Sequence, residues 1–177
     1  MENDPTKPRN LPVDVQTLES QLLTGETSPK AFILAVRDLD QFISTRESAV
    51  KAAEILGKPE VIALFVGTEY EAMFYSVRSL TYFHRAQIRI IKGDGGYLED
   101  FKAALEDSQK EGTRSEDLSN YIQATIAYIN NDLEELKKYA VKLVLNKGLI
   151  QNFIGGLEER GYSKYLEDCS KPQKGDG

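Results

Sequence analysis

With 177 residues, 28 acidic against 22 basic side chains and a formal net charge of −6, the chain is long enough for one ordinary domain with a substantial core. It is too acidic for broad nucleic-acid or membrane-surface binding unless its charge is segregated. A single histidine, His84, and a single cysteine, Cys169, exclude a multi-histidine metal centre, a thiolate zinc site and an intrachain disulfide, so no metal or cofactor is expected and a reducing, cytoplasmic setting is the simplest.

The first ten residues, MENDPTKPRN, and the last, from Cys169 to Gly177, are polar and aperiodic and read as disordered tails around one domain over 11–168. No apolar run reaches the roughly 18 to 20 residues that span a bilayer, so no membrane partner is expected. Val15, Leu18 and Leu22 recur at helical spacing before Gly25. Ser28-Pro29 is a strong helix start, a capping serine followed by proline at the first helical position, with Phe32, Val36, Leu39 and Ile43 on the buried face. Ser44 and Glu47 form a capping box for a third helix, whose small face of Ala49, Ala52 and Ala53 ends at Gly57. Pro59 to Val66 is apolar and β-branched, but no second strand-like run exists to pair with it, so a short helix is expected.

The organising element is the stretch from Thr68 to Lys92, expected to be capped by Thr68 with Glu71 and stopped at Gly93-Asp94-Gly95-Gly96. Met73, Val77, Leu80, His84, Ile88 and Ile91 share one stripe, and Ala72, Phe83, Ala86 and Ile90 a second. The remaining face carries Arg78, Arg85, Arg89 and Lys92 beside Tyr75 and Tyr82. From Ala72 to Lys92 there are four basic and no acidic residues, whereas Gly93 to Leu118 holds eight acidic against three basic. Two readings follow: internal pairing with the next helix, or an exposed groove for a protein, an acidic peptide or a phosphate. The tyrosines tilt the choice toward the groove.

Beyond the glycine turn, Leu98, Phe101, Leu105 and Ser108 mark a helix ending near Glu111-Gly112. Thr113 with Glu116 starts another, lined by Leu118, Tyr121, Ile122, Thr125 and Ile129. After the Asn130-Asn131 turn, Asp132 with Glu135 caps a helix bearing Leu133, Leu136, Ala140 and Leu143, closed by Gly148. Leu149 to Arg160 and a last turn or two through Ser163 to Asp168 complete roughly eight helices with short connections. The pieces IRIIKGDGGYLEDFKAALED and IAYINNDLEELKKYAVKLV, with Phe101 and Ala104 as an aromatic and small pair and Asp94 and Asp132 at the turns, resemble tetratricopeptide repeats between about residues 82 and 145. The resemblance implies an all-α, right-handed array of antiparallel helical hairpins and a protein-binding scaffold without catalysis. Leu136 stands roughly where that family has a small residue, and Gly148 near its closing proline.

Few residues offer chemistry. Arg78, followed by five residues and His84, resembles the loose arginine and histidine pattern of the HEPN family of helical ribonucleases, and the alternative it implies is a small ribonuclease using Arg78 and His84. On a continuous helix the two side chains point roughly 120° apart, which leaves His84 on the apolar face as a packed residue. GDGG at Gly93 to Gly96 lacks the lysine and the preceding strand of a phosphate loop. The acidic pairs, Glu116-Asp117 among them, are solvated faces and first-turn charges. The functional expectation is a non-catalytic interaction module with Tyr75, Arg78, Tyr82, Arg85, Arg89 and Lys92 as its contact strip.

Overall fold

A computed structural model describes residues 14–41, 46–110 and 116–172 of the protein, with the side chains of 39–41 and 46–49 not included. The expected 1–10 tail, the contacts of Leu39, Ile43 and Ala49, the Ser44 and Glu47 box, the Glu111-Gly112 stop, the Thr113 cap and the end of the chain beyond 172 lie outside the described residues. Among the described residues the secondary structure is entirely helical: α1 (Val15–Leu23), α2 (Pro29–Gln41), α3 (Arg46–Leu56), α4 (Pro59–Ala63), α5 (Glu71–Lys92), α6 (Tyr97–Lys110), α7 (Glu116–Ile129), α8 (Leu133–Ala140), α9 (Lys147–Arg160) and α10 (Tyr165–Ser170). These are ten helices rather than about eight.

Two apolar clusters fill the interior. Val15, Leu18, Leu22, Phe32, Ile33, Val36, Leu56 and Phe65 gather around Phe74 and Val77 of the first half of α5. Phe101, Ile122, Tyr128, Leu136 and Phe153 gather with Phe83 and Ala86 of its second half. Helix α5 is therefore the common wall of both. Stacked aromatics mark each centre: Phe65 on Phe74 at 4.5 Å and Tyr128 on Phe153 at 4.1 Å between ring centroids.

Several starts and stops follow local chemistry. The Ser28 hydroxyl accepts the Ala31 N–H at 3.2 Å, and Asp132 accepts the Glu135 N–H at 3.0 Å, the two caps expected there. Helix α5 starts at Glu71, not Thr68. The Thr68 hydroxyl donates instead to the Phe65 carbonyl at 2.7 Å, while Glu71 accepts the Gly67 N–H at 2.8 Å, one residue before the expected partner. At its far end Gly93 takes φ +74°, its N–H reaches the Ile90 carbonyl and the Asp94 N–H reaches that of Arg89. This six-to-one and five-to-two pairing requires a left-handed residue, which glycine supplies without a side-chain clash. Helix α8 stops at Ala140, earlier than expected, and Gly148 lies inside α9 instead of closing α8. Cys169 and Ser170, expected in the tail, complete α10. The buried set of α5 also differs from the two expected stripes: Phe74, Ser79 and Thr81 are buried, His84 and Leu80 are half-buried, and Ala72 is exposed.

Candidate functional site

The basic strip of α5 faces α6. Nε and Nη2 of Arg78 donate to the two carboxylate oxygens of Asp107 at 2.6 and 2.7 Å, and Nε and Nη2 of Arg85 donate to those of Asp100 at 3.0 and 2.6 Å. Arg89 reaches both Asp100 and the Gly96 carbonyl at 3.0 Å. Fork-to-fork geometry of this kind is the strong form of a charge-assisted hydrogen bond. It is also dry: the Arg78 and Asp107 side chains are 10 % and 2 % exposed. Between the two pairs the Ser79 hydroxyl donates to the Ala104 carbonyl at 2.7 Å, a contact that only small residues permit.

The register explains the pairing. Arg78 and Arg85 are seven residues apart, as are Asp100 and Asp107. Seven residues are close to two helical turns, so each pair lies on one stripe. The four-residue turn at 93–96 folds α6 back on α5, bringing 85 to 100 and 78 to 107. Around this ladder the Arg78 guanidinium lies 5.2, 5.0 and 5.7 Å from the ring centroids of Phe74, Tyr75 and Tyr82, and Arg85 lies 5.1 Å from Tyr82. Burial disfavours the charged form of Arg78, but Asp107 more than offsets it and the guanidinium is held above its ordinary pKa.

Of the six residues expected on the groove, Tyr75 and Arg78 are buried, Tyr82, Arg85 and Arg89 are half-buried, and Lys92 alone is exposed. The tilt toward an exposed groove is therefore corrected: the arginines neutralise aspartates of the neighbouring helix, the other of the two readings. Arg78, which the ribonuclease alternative would use, is buried, with Nε and Nη2 donated to Asp107 and Nη1 to the Leu56 carbonyl at 3.4 Å. His84 sits against the Phe83 ring, with 6.0 Å between centroids. Among the described residues no group of three or more His, Cys, Asp or Glu side chains is placed to hold a metal ion, and no helix is long and apolar enough to cross a membrane.

A second polar cluster fixes the C-terminal helix. Asp168, fully buried, accepts from the Tyr128 hydroxyl and Arg160 Nη2, both at 2.5 Å, and meets Lys171 Nζ at 2.8 Å. Burial opposes its ionisation, but Arg160, Lys171 and Tyr128 outweigh that and hold the carboxyl below its ordinary value. Gly156 leaves the space: a Cβ there would collide with the Asp168 carboxylate and with Arg160. Asn152 adds hydrogen bonds to the Asp168 and Lys171 carbonyls. Lys171 caps this cluster from the surface with its side chain 37 % exposed, while Asp168 beneath it is sealed from solvent.

The surface feature that sequence reasoning missed is the connection from α8 to α9. Val141, Val144 and Leu145 are 83 %, 75 % and 64 % exposed, around the single buried anchor Leu143. The connection is held in shape from a distance: the Asp117 carboxylate accepts the Val144 N–H at 2.6 Å and the Leu145 N–H at 3.3 Å. Helix α8 has already ended by then: the Lys142 and Leu143 N–H groups reach the Tyr139 and Ala140 carbonyls three residues back, at 3.0 and 3.3 Å, and Asp117 takes the next two. Asp117 read as a first-turn charge because nothing local in the sequence links it to a backbone 27 residues away. The exposed aliphatics themselves were legible only as a weak continuation of the α8 pattern.

No protein-family model, curated protein or solved structure matches this chain.

Proposed function

We propose that the chain is a non-catalytic protein-interaction module whose contact surface is the α8–α9 connection. The observation that carries this reading is the exposure of Val141, Val144 and Leu145 on a segment fixed by Asp117. Other aliphatic side chains reach solvent singly or less fully, Leu23 at 49 %, Val66 at 49 % and Leu166 at 53 %, whereas Val141, Val144 and Leu145 are the most exposed and fall within five residues, and clustered exposure of this kind is the usual mark of an interaction surface. Backbone anchoring adds to this. A loop already ordered by two charge-assisted hydrogen bonds loses little entropy on binding.

The tetratricopeptide-like arrangement of α5 to α8 belongs to the same proposal. It is supported by the packing of each helix on its chain neighbour, α5 on α6, α6 on α7 and α7 on α8, with few residues between them in the sequence. A cytoplasmic location is consistent with a single cysteine.

The test is affinity capture with the whole chain as bait, comparing wild type with V141S/V144S/L145S. All three positions are exposed, so the variant retains its fold, which circular dichroism and melting temperature check. Proteins held by wild type and lost by the variant support the reading. An identical set of captured proteins on both baits refutes it.

A further inference from the structure

We propose that the partner of the α8–α9 connection is an acidic protein segment that carries aliphatic side chains, an inference that rests on the interaction-module reading above. Between Leu136 and Gly148 the chain holds Lys137, Lys138, Lys142 and Lys147 and no acidic residue, a local excess of positive charge in a chain whose total is −6. Two of the four are already neutralised, Lys137 by Glu158 at 2.7 Å and Lys138 by Glu135 at 2.9 Å. Lys142 and Lys147 are exposed and form no ion pair among the described residues. They flank Val144 and Leu145 along the chain. The ammonium groups of Lys138 and Lys142 also lie 5.2 and 5.4 Å from the centroid of the half-buried Tyr139 ring, within the range of a cation–π contact.

Charge selects among the surfaces that could cover these residues. A second copy of the chain, meeting the first through the same patch, would set Lys142 and Lys147 against their own images, and like charges brought together at an interface oppose association. An anionic bilayer is attracted by clusters of about four to eight free basic side chains. Only two are free here, on a chain that is acidic overall. A segment with carboxylates beside aliphatic side chains satisfies both halves of the patch at once: its acids replace water around two unpaired ammonium groups, and its apolar residues cover Val141, Val144 and Leu145. The same complementarity makes association fall with salt.

Photocrosslinking at the patch tests this directly. The full chain carrying p-benzoylphenylalanine in place of Val144 is irradiated in the cells that produce it, and the adduct is sequenced. The crosslinked segment, made as a synthetic peptide, is then titrated against wild type, K142E/K147E and V141S/V144S/L145S. The expected adduct is a segment of another protein in which Asp and Glu outnumber Lys and Arg. Its affinity should fall about tenfold or more in each variant, with melting temperatures unchanged, and should weaken with added salt. An adduct with a neutral or basic segment, or an affinity indifferent to K142E/K147E, overturns the acidic partner and leaves the interaction module standing. Adducts with lipid or with a second copy, or no adduct at all, overturn both.

Discussion

Removal of Asp107 should be among the most damaging single substitutions in the chain, and more damaging than removal of Arg78. Asp107→Ala leaves a guanidinium almost out of water with one 3.4 Å hydrogen bond to the Leu56 carbonyl and the faces of Phe74, Tyr75 and Tyr82 as its remaining company. Breaking a buried pair from one side costs about 3 to 5 kcal/mol, because the surviving charge stays desolvated without compensation. Arg78→Ala leaves a carboxylate that still has Lys110 Nζ at 3.7 Å and can shed its charge by taking a proton, which a guanidinium cannot do. Its cost should sit at or below the low end of that range. The joint replacement Arg78→Met with Asp107→Leu removes both charges and fills the space with apolar atoms, and buried pairs so replaced are often neutral to stability. Urea unfolding of the four proteins ranks their stabilities. The expected order of stability is wild type and the double variant together, then Arg78→Ala, then Asp107→Ala. If Asp107→Ala cost less than about 1 kcal/mol, in the range of surface pairs, the pairing would be a surface contact and the argument from burial would fail.

Reversal of Arg85 and Arg89 to Glu sets three carboxylates around one site, since both arginines hold Asp100. The melting temperature should drop by several degrees, and an unchanged melting curve would count against the ladder. For Asp168 the sign follows from its depressed folded pKa. The stabilisation is fully present above the ordinary carboxyl value of about 3.9 and is lost as pH falls through the lower folded value. Urea midpoints of wild type and Asp168→Asn should therefore converge on acidification, and a constant gap between pH 7 and pH 3 would refute the assignment. Gly156→Ala inverts the usual helix rule. Alanine in a helix interior normally gains about 1 kcal/mol over glycine, but here the added methyl meets Asp168 and Arg160, so a net loss of about 1 to 3 kcal/mol is expected on chemical denaturation, as for other overpacked sites.

Most of the helices were readable because their signals are local. Ser28-Pro29 and Asp132 with Glu135 declare helix starts within four residues, and the glycines after Lys92 declare a stop. The boundaries that shifted did so where a competing bond took over: Glu71 accepting from Gly67, and Lys142 and Leu143 turning their N–H groups to carbonyls three residues back, beyond which Asp117 holds Val144 and Leu145. The strip on α5 is the instructive case. Its arginines were visible and so was the acidic helix beyond the turn, and the matched seven-residue spacing of Arg78 and Arg85 with Asp100 and Asp107 was enough to pair them. The tyrosines drew the reading outward, although Tyr75 and Tyr82 in fact wall the guanidinium groups from water. The exposed connection at Val141 to Leu145 had no such signature, because exposure is a property of the assembled fold and Leu143, in the middle of it, is buried.

The position of α5 as the shared wall of two clusters limits how the chain can be divided. A break in the turn at 93–96 would leave one piece carrying Phe83, Ala86 and three arginines on a bare helical face, and another carrying Asp100, Asp107 and Phe101 on the face made to meet it. Each piece lacks what the other supplies, in apolar surface and in charge alike. The halves are thus not modules that could be exchanged or duplicated separately, and co-expressed fragments severed at this turn would have to find one another to become soluble.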